Sequence, residues 1–165
     1  EPETRPIWTN ANDSIVSAID KKSYVGNRET IWRWRQEFQH DFAARMLWTT
    51  KEFSECNHPP IAMLAHADQL TVRSGETFHL SAKGSSDPDG DSLSFLWFQY
   101  REAGAYPDIV SFRPYAANLY DLPVTAPVVK DKQTVHFILK VTDKGEPALS
   151  RYRRVIVTVL PTAQK

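Results

Sequence analysis

Three segments of this chain alternate apolar and polar residues with a period of two, and that alternation limits the fold more than any other feature. Residues 92–100 place Leu93, Phe95 and Trp97 on one face. Residues 134–142 do the same with Val135, Phe137, Leu139 and Val141. Residues 151–160 carry Val155, Val157 and Val159, with Ile156 and Leu160 on the other side. A period of two belongs to strands that bury one face. Shorter runs at 61–66, 70–73 and 77–83 precede them, divided by Ala67-Asp68-Gln69 and Ser74-Gly75-Glu76. Between them, 101–132 is rich in Pro, Ala and Tyr and reads as long loops around two short strands, 109–112 and 122–125. Short strands separated by polar turns predict a mainly β chain folded as a two-sheet sandwich rather than an α/β fold. Leu96, Phe98 and Tyr100 form a second apolar row facing away from Trp97, which needs cover from another element or domain.

Residues 1–58 read differently. Over 28–55 the residues Ile31, Trp34, Arg35, Phe38, Phe42, Arg45 and Met46 recur at three- and four-residue steps, which predicts a helix over about 28–49. Asn27 is the expected N-cap, Glu29 sits in the first turn, and the β-branched pair Thr49-Thr50 ends the helix. Trp32, Ala43, Leu47 and Trp48 fall off this stripe, so the helix needs partners on both sides. Asn57-His58-Pro59-Pro60 has linker chemistry. The expected division is therefore a helical segment, 1–58, followed by a β-sandwich, 59–165. The start, Glu1-Pro2-Glu3-Thr4-Arg5-Pro6, has no signal-peptide pattern and reads as lying inside a longer chain.

Twenty basic and twenty acidic side chains cancel, which gives no electrostatic case for nucleic acid. No apolar run is long enough for a membrane helix. The lone Cys56 excludes an internal disulfide. The five histidines have neither His-x-His nor His-x-x-x-His spacing, which argues against zinc. No nucleophile elbow or phosphate-cradling glycine loop is present, so no catalytic residue is assigned. The chemically loaded stretch is Gly84-Ser85-Ser86-Asp87-Pro88-Asp89-Gly90-Asp91, three carboxylates in five residues running into the strand that ends on Trp97. Crowded carboxylates repel unless water or a cation screens them, so Asp87, Asp89 and Asp91 form either a solvated turn or a calcium site. The spacing is not that of an EF-hand, because Gly90 falls at loop position four and Phe98 at position twelve.

Gly84–Trp97, with Asn57-x-x-Pro60 before it and Val141-Thr142-Asp143-Lys144-Gly145 before the last strand, resembles polycystic-kidney-disease-type immunoglobulin-like modules. Those modules continue Asp-Phe-Gly-Asp after the tryptophan, where this chain has Phe98-Gln99-Tyr100. The resemblance implies an immunoglobulin-like β-sandwich with a helical appendage, and Asn57 and Asp143 completing a calcium cage with the three aspartates. The runs from Ile31 to Met46 and from Arg151 to Val159 look like a bacterial family described as cellulose-binding. Its members join an N-terminal nucleoside-hydrolase-like domain to a C-terminal immunoglobulin-like domain. That resemblance implies an exported, non-catalytic C-terminal module whose partners are the upstream hydrolase-like domain of the same polypeptide and cellulose or another cell-wall polysaccharide. The rival expectations are a fragment that completes a nucleoside-hydrolase-like enzyme, and a structural spacer. Sugar C–H faces pack on aromatic rings, and Trp8, Tyr106, Tyr115 and Tyr120 lie in loop-like segments where such stacking is available. The competing reading is that loop tyrosines cap hydrophobic edges.

Overall fold

The computed structural model describes residues 13–17, 20–111 and 119–162, so Trp8, Phe112 and Tyr115 lie outside the described residues. Two long strands, the last in chain order, form its spine: β7 (Gln133–Thr142) and β8 (Ser150–Leu160). They pair antiparallel with Val135 opposite Val157 and Phe137 opposite Val155, so apolar side chains meet on the same face. β5 (Ser94–Gln99) joins the other edge of β7, with Trp97 opposite Leu139 and Phe95 opposite Val141. β3 (Gln69–Arg73) runs parallel to β8, giving the order β3-β8-β7-β5. The second sheet is a pair, β4 (Thr77–Ser81) with β6 (Asp121–Thr125), placing Phe78 opposite Val124 and Leu80 opposite Leu122. Pro123 is tolerated because β6 has a neighbour on one side only. Between the sheets Leu80, Trp97, Leu122, Val124, Phe137, Leu139, Val155 and Val157 pack into one buried core. The mainly β sandwich read from the alternation is the observed fold.

Two expected strands do not form among the described residues. Over 61–66 the chain makes a single bridge, Ile61 with Ser86, and is otherwise irregular. At Ile109 and Val110 a side chain replaces strand pairing: Gln99 accepts the Val110 N–H at 2.8 Å and donates to the Asp108 carbonyl at 2.9 Å.

In the N-terminal part, the first described elements are β1 (Asp13–Val16) and β2 (Ser23–Gly26), an antiparallel pair that the sequence pattern did not suggest. The expected helix is broken in two, α1 (Glu29–Trp32) and α2 (Arg35–Trp48). The break falls at Trp34, whose ring lies 5.8 Å from that of Phe98 and edge-on to Tyr152 at 5.2 Å. Arg28 rather than Asn27 holds the N-cap position, with no side-chain cap bond. The helix does end before Thr49-Thr50.

Trp34 and Arg33 at the break cover Phe98 and Tyr100 of the outward row, and α2 lies on the outer face of the four-stranded sheet, but with the opposite face from the one its periodicity indicates. Ala44 is 1% exposed, whereas Phe38, Phe42 and Met46 are 49%, 66% and 52% exposed. The reason lies in the sheet. Its outer surface presents Lys140 and Tyr152, the Arg151 guanidinium reaches Asp41 beside them, and these select the polar side of the helix. Lys140 Nζ donates to Glu37 Oε1, Arg151 approaches Asp41 at 3.5 Å, and the His40 ring lies 2.9 Å from the Ala148 carbonyl. At the helix end Trp48 Nε1 donates to the Asn57 carbonyl at 2.9 Å, which fixes the connection to the sandwich. Among the described residues no helix is long and apolar enough to cross a membrane.

Candidate metal centre

The acidic turn between β4 and β5 is organised by Asp87. Its Oδ1 accepts the backbone N–H groups of Asp89 at 2.9 Å and Asp91 at 3.1 Å. Gly90 takes φ +82°, a left-handed conformation that favours glycine, and thereby turns the chain back. The other Asp87 oxygen, Oδ2, is buried with no hydrogen-bond partner among the described residues. One oxygen from each of Asp87, Asp89 and Asp91 lies within 4.8 Å of the others. Two oxygens held at calcium distance from one ion lie no more than about 5 Å apart, so this spacing suits a shared ion.

Two further groups reach the same end of the sandwich from distant parts of the chain. Asp143, in the β7–β8 turn, is 1% exposed. Its Oδ1 accepts from Leu149 N–H at 2.9 Å, Gly145 N–H at 3.1 Å and Asn57 Nδ2 at 3.2 Å, while Oδ2 is buried and unpartnered. Asn57 Nδ2 also donates to the Pro147 carbonyl at 2.8 Å. Both neighbours of that nitrogen are acceptors, which fixes the amide orientation and leaves Asn57 Oδ1 buried without a donor. Gly145 is packed so closely on the Asn57 amide that a Cβ there would collide with it.

The electrostatics record the crowding. The Asp91 carboxyl is pushed above its ordinary value, first by loss of water and then by the charges of Asp87, Asp143 and Asp89. Asp89 goes the other way: burial works to raise it, but hydrogen bonds from the His58 ring and backbone, with that ring's charge, outweigh burial and lower it. The His58 N–H reaches Asp89 Oδ2 at 2.6 Å and its Nδ1 lies 2.9 Å from Oδ1. The His58 ring is itself stacked between Trp48, 5.8 Å away, and Phe53, 3.8 Å away. Sequence reasoning missed His58. Its only signal was adjacency to Asn57, because its partner lies 31 residues onward.

Three orphaned oxygens therefore arise from three segments: Asn57 Oδ1, Asp87 Oδ2 and Asp143 Oδ2. An unpaired buried polar atom is costly, and most such atoms in folded proteins have a partner. The donor set is all oxygen, which fits a hard cation such as calcium and not zinc. Of the rings considered for sugar stacking, Tyr106 is half-buried against the core, and Tyr120 is exposed just before β6.

Residues 77–159 match the family described as cellulose-binding protein Sde0182, C-terminal domain. Among solved structures, the chain is similar to a nucleoside hydrolase-related hypothetical protein from Saccharophagus degradans that is associated with carbohydrate metabolism. Identity is 31% and the TM-score 0.74 over 90% of this chain and 40% of that one. The chain thus spans two fifths of the length of that relative. A PKD domain from the KIAA 1837 protein also matches, at 26% identity and a TM-score of 0.44, over 63% of this chain and 89% of that one. No curated protein matches. By the match over half its length, the chain belongs to the family of cellulose-binding protein Sde0182 C-terminal domains.

Proposed function

We propose that this chain is the non-catalytic, immunoglobulin-like module of an exported bacterial polysaccharide-binding protein, and that a calcium ion clamps its helical segment, 1–58, to its sandwich, 59–165. The observation that carries the clamp is the trio of unpartnered buried oxygens on Asn57, Asp87 and Asp143 beside the raised Asp91 carboxyl. Asn57 belongs to the connection leaving α2, Asp87, Asp89 and Asp91 to the β4–β5 turn, and Asp143 to the β7–β8 turn. Bound calcium would supply the positive charge that these carboxylates lack. The residues themselves do the rest: Asp143 closes its turn, Asn57 ties the connection to it, and His58 holds Asp89 in place.

The polysaccharide reading rests on the family and on the carbohydrate association of the Saccharophagus relative. The partner of this module is a hydrolase-like domain of the same polypeptide, in keeping with the description of that relative and with its greater length. The outward row of Phe42 and Met46 on α2 supports such a contact, since contiguous exposed apolar side chains mark interaction surfaces. The test assays the chain on insoluble cellulose and on nucleosides. Retention on cellulose with no nucleoside turnover is expected. Nucleoside cleavage abolished by Asp87→Asn would overturn the non-catalytic reading in favour of an enzyme fragment.

A further inference from the structure

A groove of about 570 Å³ runs between α2 and the outer face of β7 and β8, within the size range of small-ligand sites. It is separate from the acidic cage. Three rings line it: Phe38, half exposed on the helix, and the half-buried Trp34 and Tyr152. Its charged groups are Glu37, Asp41, Arg45 and Arg151, two acids and two bases. Asp41 is held below the usual carboxylate range, first by its hydrogen bond from Arg45 at 2.7 Å, with Arg151 adding to the effect. Glu37 uses Oε1 for Lys140, and its Oε2 is buried with no partner among the described residues.

This composition selects among ligands. A phosphate or carboxylate would face Glu37 and Asp41, and a cation would face Arg45 and Arg151. A purely apolar protein surface would seal the partly exposed Asp41 and Arg151 away from water. A sugar meets every condition. Its C–H face packs on a ring, it carries no charge, and each hydroxyl both donates to carboxylates and accepts from guanidinium N–H groups.

From this geometry we infer that the groove binds a segment of a neutral, hydroxyl-rich glycan chain. A sugar ring stacks on Phe38, and hydroxyls bridge the partly exposed Asp41 and Arg151. The inference rests on the polysaccharide reading above and gives it a location, on α2 and the sheet rather than on the loop tyrosines.

The test titrates cellohexaose into the full chain, followed by tryptophan fluorescence and calorimetry, beside retention on insoluble cellulose. Wild type saturates with cellohexaose. Phe38→Ala and Arg151→Ala each weaken binding at least tenfold with unchanged melting temperature, and Phe38→Trp restores it. Phe42→Ala, one turn along the outward row, binds like wild type. Unchanged affinity in both groove variants, or retention on cellulose without cellohexaose binding, overturns the groove and leaves the polysaccharide reading standing. Equal loss in Phe42→Ala overturns it as well, because the effect would then belong to a general apolar surface that fits a protein partner. A wild-type chain that binds neither cellohexaose nor cellulose overturns both readings.

Discussion

Replacing Asp143 in two ways separates its role as a hydrogen-bond acceptor from its role as a charge. Asp143→Ala removes the acceptor for Leu149 N–H, Gly145 N–H and Asn57 Nδ2. The Asn57 amide keeps the Pro147 carbonyl, so two donors lose their partner outright. At about 1–3 kcal/mol for each buried donor left unmade, and with Gly145 only partly buried, the expected loss is about 2–4 kcal/mol. For a chain of this size that lowers the melting temperature by roughly 5–15 °C. Asp143→Asn keeps an oxygen at Oδ1 and removes one of the charges that bear on Asp91. In chelator its loss should be less than half that of the alanine variant. With calcium at 100 times its dissociation constant, wild type should gain about 2.7 kcal/mol, and neither variant should match that gain. The assay is thermal unfolding followed by circular dichroism, in chelator and in saturating calcium. An asparagine variant as unstable as the alanine variant in chelator, or one with the full calcium gain, would refute the reasoning.

Trp97 lies in the core between the sheets, and Trp97→Ala should cost about 3–5 kcal/mol, measured by urea unfolding. Because its indole N–H is buried without a partner among the described residues, Trp97→Phe removes an unsatisfied donor and should cost far less; equal losses would contradict that account. The folded-state Asp91 carboxyl is raised above its unfolded value, so its contribution is present below the unfolded value and is lost as pH rises through the folded one. In chelator Asp91→Asn should therefore melt above wild type near pH 7, with the gap closing toward pH 3, and a gap independent of pH would count against the crowding.

The sheets were legible because β5, β7 and β8 each bury one face and expose the other to different chemistry, so alternation carried the signal. The helix was legible as a helix but not in orientation. Its apolar row, Phe38, Phe42 and Met46, looks like a core face until Lys140 and Arg151 are seen on the sheet opposite Glu37 and Asp41, which is long-range information. Residues 109–110 failed as a strand because the Gln99 side chain satisfies the backbone that a neighbouring strand would otherwise pair. The β1–β2 hairpin is too short, at four residues a strand, to show a period. In the acidic centre, Asp87, Asp89 and Asp91 advertise themselves by local crowding. Asn57 and Asp143 are 86 residues apart, and only the resemblance to a known module brought them together in the sequence reading.

The most direct test of the cation clamp is calorimetric titration of calcium into the metal-free chain. One ion should bind per chain, with release of heat or protons, and Asp87→Asn or Asp143→Asn should abolish it. An isotherm indistinguishable from buffer, together with identical melting curves in calcium and in chelator, would contradict the clamp and leave Asp87, Asp89 and Asp91 as a solvated turn.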